Sequence, residues 1–190
     1  FRSDETATIK LETRNLETLS VRQYFLSLEG YFRKHKQAGG VERLDIALIQ
    51  PDKTWEAKVD DYSKYAPREQ QLEVPFPQGK AGVCLIHVSG GDFEATTLVV
   101  KSDLELIFRV SREELLAFAQ DARQGKAAAG VEVLASDGEK VFSLGKTGAD
   151  GVLRKKHERL AQANDWRFFA SLGDHSAASE LSLSGLRNAV

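Results

Sequence analysis

Gly145-Lys146-Thr147 has the residue types of a phosphate-binding loop, where backbone N–H groups wrap the phosphates and a lysine neutralises them. The spacing denies that reading. The glycine needed five residues ahead of Gly145 is Lys140, and Gly148 to Gly151 starts a turn where a helix is required. A hairpin loop is expected instead. His157-Glu158 opens like a zinc-binding H-E-x-x-H helix, but the second histidine position holds Ala161. His35, His87, His157 and His175 share no ligand spacing. His87 falls in an apolar run and is expected to be a hydrogen-bonded strand histidine. Cys84 stands between Val83 and Leu85. A reactive thiolate needs an electropositive, partly exposed setting, so Cys84 is expected to be inert core. Asp137 and Asp150 could offer carboxylates to calcium, but that ion wants about six or more oxygens and each sits in an isolated turn. No G-x-S-x-G elbow is present. No acid, base and nucleophile set emerges, so the expectation is a non-enzyme with no catalytic, cofactor-binding or metal residue.

Charge and composition narrow the partners. Divided at Lys101, the chain carries 14 Lys+Arg against 15 Asp+Glu before the boundary and 12 against 13 after it. Neither half is a polycation, so no nucleic-acid partner is expected. No apolar run reaches membrane-spanning length, and no signal-peptide pattern opens the chain. Met is absent, so the 190 residues are expected to be a piece of something longer. A lone cysteine excludes an internal disulfide scaffold. The basic runs Arg33-Lys34-His35-Lys36 and Arg154-Lys155-Lys156 read as solvated faces. Tyr62 and Tyr65 lie in a polar loop with Lys64 and Arg68. Such aromatics can meet a partner or a glycan, but tyrosines tucked over their own core are the expectation.

The elements that would position these residues are mostly strands. Ala7, Ile9 and Leu11 alternate with polar neighbours, the two-residue period of a half-buried strand. Leu19 to Phe25 is a second strand. Leu28, Tyr31 and Phe32 have helical spacing, so Leu28 to His35 is read as a short helix or turn, ended by Gly39-Gly40. Val41 to Gln50 is expected to be a strand stopped by Pro51, and Thr54 to Val59 a weaker one. Asp60 to Arg68 reads as a loop. Gln70 to Phe76, with Pro75, has the character of an edge strand. Val83 to Val88 is apolar enough to be central, and Phe93 to Lys101 returns after Gly90-Gly91-Asp92.

A boundary is expected at Lys101-Ser102-Asp103, giving modules 1–101 and 102–190 on a short joint that restricts their angle. Leu104, Leu106, Phe108 and Val110 begin the second module. Leu115, Ala117 and Ala119 follow, and then Val131, Val133 and Ala135. Asp137-Gly138 marks a hairpin, Lys140 to Gly145 its return, and Asp150-Gly151 another turn. Arg154 to Ala163 reads as a loop or short helix. Trp166, Phe168, Ala170 and Leu172 alternate as a core strand. Asp174-His175 turns the chain, and Leu181 and Leu183 close it. This strand density predicts an all-β chain: two tandem immunoglobulin- or fibronectin-III-like sandwiches.

The same turns carry a resemblance. Asp121 to Val133 has the pattern D-x-x-x-G-K-x-x-x-G-V-x-V; Asp137-Gly138 and Gly145 to Val152 follow it. The set resembles modules of bacterial α2-macroglobulin-type proteins. Phe1-Arg2-Ser3-Asp4-Glu5 is similar to the Tyr-Arg-Pro-Gly-Glu start of other macroglobulin domains, departing at Ser3 and Asp4. The resemblance implies two macroglobulin-like (MG) sandwiches within a large extracytoplasmic, cell-envelope protein that entraps proteases. These modules would be scaffold, and their partners would be neighbouring domains of the parent chain and, through the full-length protein, proteases. The thioester motif of that family, similar to Gly-Cys-Gly-Glu-Gln, has no match at Val83-Cys84-Leu85. A cell-surface adhesin or glycan-binding sandwich is the alternative from another functional class.

Overall fold

A computed structural model describes residues 1–77, 79–110, 114–156 and 165–182. Strands make up 56% of the described structure and helix 7%. The chain folds as two compact units. The first contains Phe1–Leu26 and Gly40–Lys101. The second contains Ser27–Gly39 together with the chain from Ser102 onward. A single cut at Lys101 does not provide for that excursion.

In the first unit, β1 (Ala7–Arg14) pairs along its whole length with β4 (Pro67–Val74), antiparallel, from Ala7↔Val74 to Arg14↔Pro67. The facing sheet has the order β3-β2-β5-β6, with β2 at Thr18–Phe25, β3 at Lys53–Lys58, β5 at Gly82–Gly90 and β6 at Phe93–Lys101. Period-two alternation turns Ile9, Val21, Cys84, Ile86, Val88 and Val99 into the space between the sheets. Burying such side chains contributes about 1.5–3 kcal/mol each, which is what holds the two layers together. β5 is central, and Val83 to Val88 are buried on both faces.

Val41 to Gln50 is not a strand. Val41–Arg43 forms a 3₁₀ turn against β6, and an irregular loop follows. Two local bonds pull this segment out of the extended conformation. The Asp45 carboxylate accepts from the Ala47 N–H at 3.0 Å, and the Ile49 N–H donates to the Ile46 carbonyl at 3.0 Å. Leu44 and Ile46 are half-buried against the β2-β5-β6 sheet, while Leu48 is 98% exposed, so the apparent alternation breaks off after Ile46.

The second unit repeats the layout. One sheet has the order β12-β8-β7, from β12 (Val152–Lys156), β8 (Glu114–Asp121) and β7 (Leu104–Val110), and the two-residue β9 (Lys126–Ala127) adds to β8. The other has the order β11-β10-β13-β14, from β11 (Val141–Lys146), β10 (Glu132–Ser136), β13 (Asp165–Leu172) and β14 (His175–Ser182). Leu115, Ala117, Val133, Ala135, Trp166 and Phe168 form its core. Phe108 stacks on Phe168 with centroids 4.2 Å apart, and Trp166 stacks on the same ring at 6.3 Å. The Asp137-Gly138 hairpin is a four-residue loop rather than a two-residue turn, because Ser136 pairs with Val141. The Asp137 carboxylate holds it by accepting from the N–H groups of Glu139 and Lys140. The turn between β13 and β14 is Gly173-Asp174, and His175 already begins β14.

Leu172 is 41% exposed, not core, whereas Phe169, on the opposite face of β13, is fully buried. The cause is α1 (Leu28–His35), which the excursion brings onto that face. Ser27 caps the helix by accepting from the Gly30 N–H, and Lys36 ends it in the left-handed region with φ of 65°. Helical spacing buries Leu28 and Phe32, and Phe32 stacks on Phe169 at 5.3 Å. Glu29 secures the helix. Its carboxylate accepts from Arg33 and from the Ser171 hydroxyl at 2.9 Å each, while Arg33 reaches Glu132 at 3.5 Å. Burial pushes the Glu29 carboxyl up, but the bonds from Arg33 and Ser171 and the Arg33 charge outweigh it, leaving the pKa below its ordinary 4.5. A depressed folded-state pKa stabilises the fold above the unfolded value and loses that stability as pH falls through the folded one. Protection of the α1 amides, taken relative to their intrinsic exchange rates, is therefore expected to fall below pH 4.5, and Glu29→Gln should remove that pH dependence. Unchanged acid sensitivity in the variant would contradict the assignment.

Candidate functional site

Cys84 is fully buried. Burial pushes its thiol up to about 11, against the opposing hydrogen bond from Gln23. Gln23 was not visible as special in the sequence, yet it is 1% exposed and ties three elements together. Its amide donates to the Pro75 carbonyl at 2.8 Å and lies 3.4 Å from the Cys84 sulfur. Thiol labelling of the native protein should accordingly be slow and accelerate sharply in denaturant. Cys84→Ser should cost about 1–3 kcal/mol, by placing a hydroxyl in an apolar layer. Fast native-state labelling would reopen a reactive role.

Thr147 shows why the phosphate-loop residues are structural. Its hydroxyl donates to the Ala128 carbonyl at 2.7 Å and accepts from the Val131 N–H at 3.0 Å, both buried. Lys146 is exposed, and Gly148 to Gly151 form a turn closed by the Gly151 N–H on the Gly148 carbonyl. The Asp150 carboxylate accepts from the Val152 N–H, as Asp137 does in its own loop. These carboxylates shape turns. His175 accepts from the Asp103 N–H at 3.0 Å and so anchors the start of the second unit. His157 lies outside the described residues. Among the described residues, no group of three or more His, Cys, Asp or Glu gathers to hold a metal ion.

His87 stands where β5 meets its neighbours. Cross-strand register sets it beside Arg22 on β2 and Thr96 on β6. It is 8% exposed, and its Nδ1 lies 3.0 Å from the Thr96 hydroxyl. A groove of about 390 Å³ opens here, lined also by Tyr24, Arg43 and Glu94 beneath the loop after Gly40. The histidine, hydroxyl and carboxylate do not make a hydrolytic triad. Glu94 is 77% exposed and 3.7 Å from Nε2, too far to orient the ring by a hydrogen bond. The geometry therefore supports a strand-bridging role for His87. The tyrosines depart from expectation: Tyr62 is 37% exposed and Tyr65 64%, and neither is tucked over the core. The Lys64 ammonium lies 5.2 Å from the Tyr65 ring. The Asn15 side chain accepts from the Tyr65 N–H and Arg14 donates to its carbonyl, which hold the loop outward.

The sequence matches no established family model. The fold does have counterparts. A crystal structure of native Escherichia coli α2-macroglobulin spanning domains MG0-NIE-MG1 superposes with a TM-score of 0.69 at 16% identity, over 95% of this chain and 60% of that one. The fragment spanning NIE-MG1 gives 0.65 at 15% identity, over 95% and 90%. The chain has the double-sandwich fold of those fragments. The chain spans less than two thirds of the first of these structures, and 12% of the native whole-molecule structure, which it matches at 0.50. The D-G and G-K-T-G-A-D-G-V turns that carry the resemblance in the sequence are here the loops joining β10 to β11 and β11 to β12.

Proposed function

We propose that this chain is a non-catalytic scaffold pair within a large α2-macroglobulin-like, cell-envelope protein of the protease-trapping kind. The observation that carries the reading is the match of both units, over 95% of the chain, to the NIE-MG1 pair. Fold alone does not assign activity, so the site chemistry matters equally. The side chains that could have reacted are spent on structure: Cys84 in the core, Thr147 and Asp137 in loops, His87 between strands. What such modules offer is shaped surface for neighbouring domains of the parent chain. No described helix is long and apolar enough to cross a membrane.

The test is to titrate the labelled chain with the remainder of the parent polypeptide, made separately, and follow amide shifts. Saturable shifts on one contiguous exposed face are expected. The affinity can be weak, because covalent linkage supplies an effective concentration of about millimolar. Absence of any shift at that concentration would contradict the scaffold role. Exposed Tyr65 keeps a glycan-binding reading in play. Glycan-array binding that Tyr65→Ala abolishes would favour it.

A further inference from the structure

Alternation that fills a core from one face of an antiparallel sheet leaves the other face polar. The first unit follows that rule: β1 turns Thr8, Lys10 and Glu12 outward, opposite Glu73, Gln71 and Glu69 of β4. The sheet β12-β8-β7 of the second unit departs from it. β8 turns Leu115, Ala117 and Ala119 into the core, yet carries Leu116 and Phe118 on its other side. Register sets Ile107 and Val152 beside Phe118, and Arg109 and Arg154 beside Leu116. An apolar row, Ile107–Phe118–Val152, therefore crosses all three strands on the outer face. A mixed row, Arg109–Leu116–Arg154, runs next to it.

A strand that is apolar on both faces belongs to a sheet covered on both sides. The opposite sheet of the same unit obeys this, since Phe169 on the outer face of β13 is fully buried and stacks on Phe32 of α1. The Phe118 row is open instead. Ile107 is 55% exposed, and Leu116, Phe118 and Val152 are only half-buried. The row lies on a face and not at an edge, so a further strand added to the sheet would leave it open. The charges beside it say what would cover it. Arg109 and Arg154 are exposed and, among the described residues, have no hydrogen-bond or ion-pair partner. Glu105, on the same face, already accepts from the Gln120 amide at 2.9 Å. A surface that buries Leu116 between two guanidiniums must bring carboxylates to them, because a desolvated, unpaired cation costs more than the apolar contact contributes.

We propose that the outer face of β12-β8-β7 docks a protein surface that is apolar at its centre and acidic beside it, on a neighbouring domain of the parent chain. That the partner belongs to the parent chain rests on the scaffold reading; the face and its chemistry rest on the two rows. Between Cα positions the rows cover only about 10 Å by about 7 Å. That is the centre of a contact rather than a whole interface, so weak affinity between separated pieces is expected.

The probe is the remainder of the parent polypeptide, made separately and titrated into the labelled chain. Amide shifts are expected to centre on Ile107, Leu116, Phe118 and Val152. Ile107→Glu should weaken binding by about tenfold or more, by setting a carboxylate against an apolar, acid-flanked surface. Arg109→Glu combined with Arg154→Glu should weaken it by a similar factor and remove most of its salt dependence. All three positions are exposed, so both variants should keep the thermal midpoint of the unsubstituted chain. Saturable shifts centred on another face would overturn this inference and leave the scaffold reading standing. No shift anywhere at about 1 mM would overturn both. Undiminished binding by Ile107→Glu would overturn the docking face. Self-association abolished by Ile107→Glu would do the same, by assigning the face to a second copy.

Discussion

Gly151→Ala should lower the unfolding free energy by about 3 kcal/mol, and Gly151→Val by more. Gly151 has φ of 72°, a conformation that L side chains rarely adopt. A Cβ there would stand 2.5 Å from the Ala119 carbonyl oxygen and 3.0 Å from the Ala127 Cβ. Neither neighbour can retreat cheaply. Ala119 is fully buried, and its N–H donates to the Gly151 carbonyl at 2.9 Å. Its carbonyl in turn accepts from the Ala128 N–H at 2.9 Å. A side chain at 151 therefore strains its own backbone and breaks into the β8–β9 edge. Gly138 is the control. Its φ is 90°, but its nearest contact is the flexible end of Arg167 at 3.3 Å. Gly138→Ala should cost only about 1 kcal/mol, the strain alone. Chemical denaturation of the three proteins decides the matter; a larger loss at 138 than at 151 would contradict this packing.

Phe169→Ala should cost about 3–4 kcal/mol, and Phe32→Ala nearly as much. Each ring is fully buried, and each is the other's stacking partner at 5.3 Å. Truncating either leaves a cavity beneath α1 that the Glu29–Arg33–Glu132 ion pairs around it do not fill. The double variant should lose less than the sum, with a coupling of about 1 kcal/mol. Strict additivity would mean that the 27–39 excursion does not dock on β13. The choice of this pair matters because the two residues are far apart in sequence, so only the fold brings them together.

That distance also marks what the sequence could reveal. Alternation places Ile9, Val133 and Phe168 in the core, because a strand with one buried face must repeat every second residue, and the apolar run of β5 places Ile86. Phe169 escapes that logic: it breaks the alternation, and its burial depends on a helix contributed from between β2 and β3. Val41 to Gln50 fails in the other direction. Its alternation is as good as that of β1, but local Asp45 bonding makes it a loop. Cys84 was legible because every neighbour is apolar. Gln23 was not, since nothing local says that a glutamine on β2 will meet Pro75 and Cys84. Thr147 is legible as a loop residue, but the loop is not the expected hairpin, because β11 and β12 belong to different sheets, and its two buried hydrogen bonds depend on where Ala128 and Val131 fall.

The proposed scaffold role requires these modules to shape and hold rather than to react. Trapping requires a cleavable bait and, where a thioester is used, an activated cysteine; Cys84, buried and raised to about 11, is the opposite of activated. The direct measurement is to incubate the chain with serine, cysteine and metalloproteases while following cleavage of one small and one large substrate. Both activities are expected to persist, and mass spectrometry is expected to find no adduct. Stoichiometric loss of activity toward the large substrate alone, with the chain covalently attached to the protease, would contradict it.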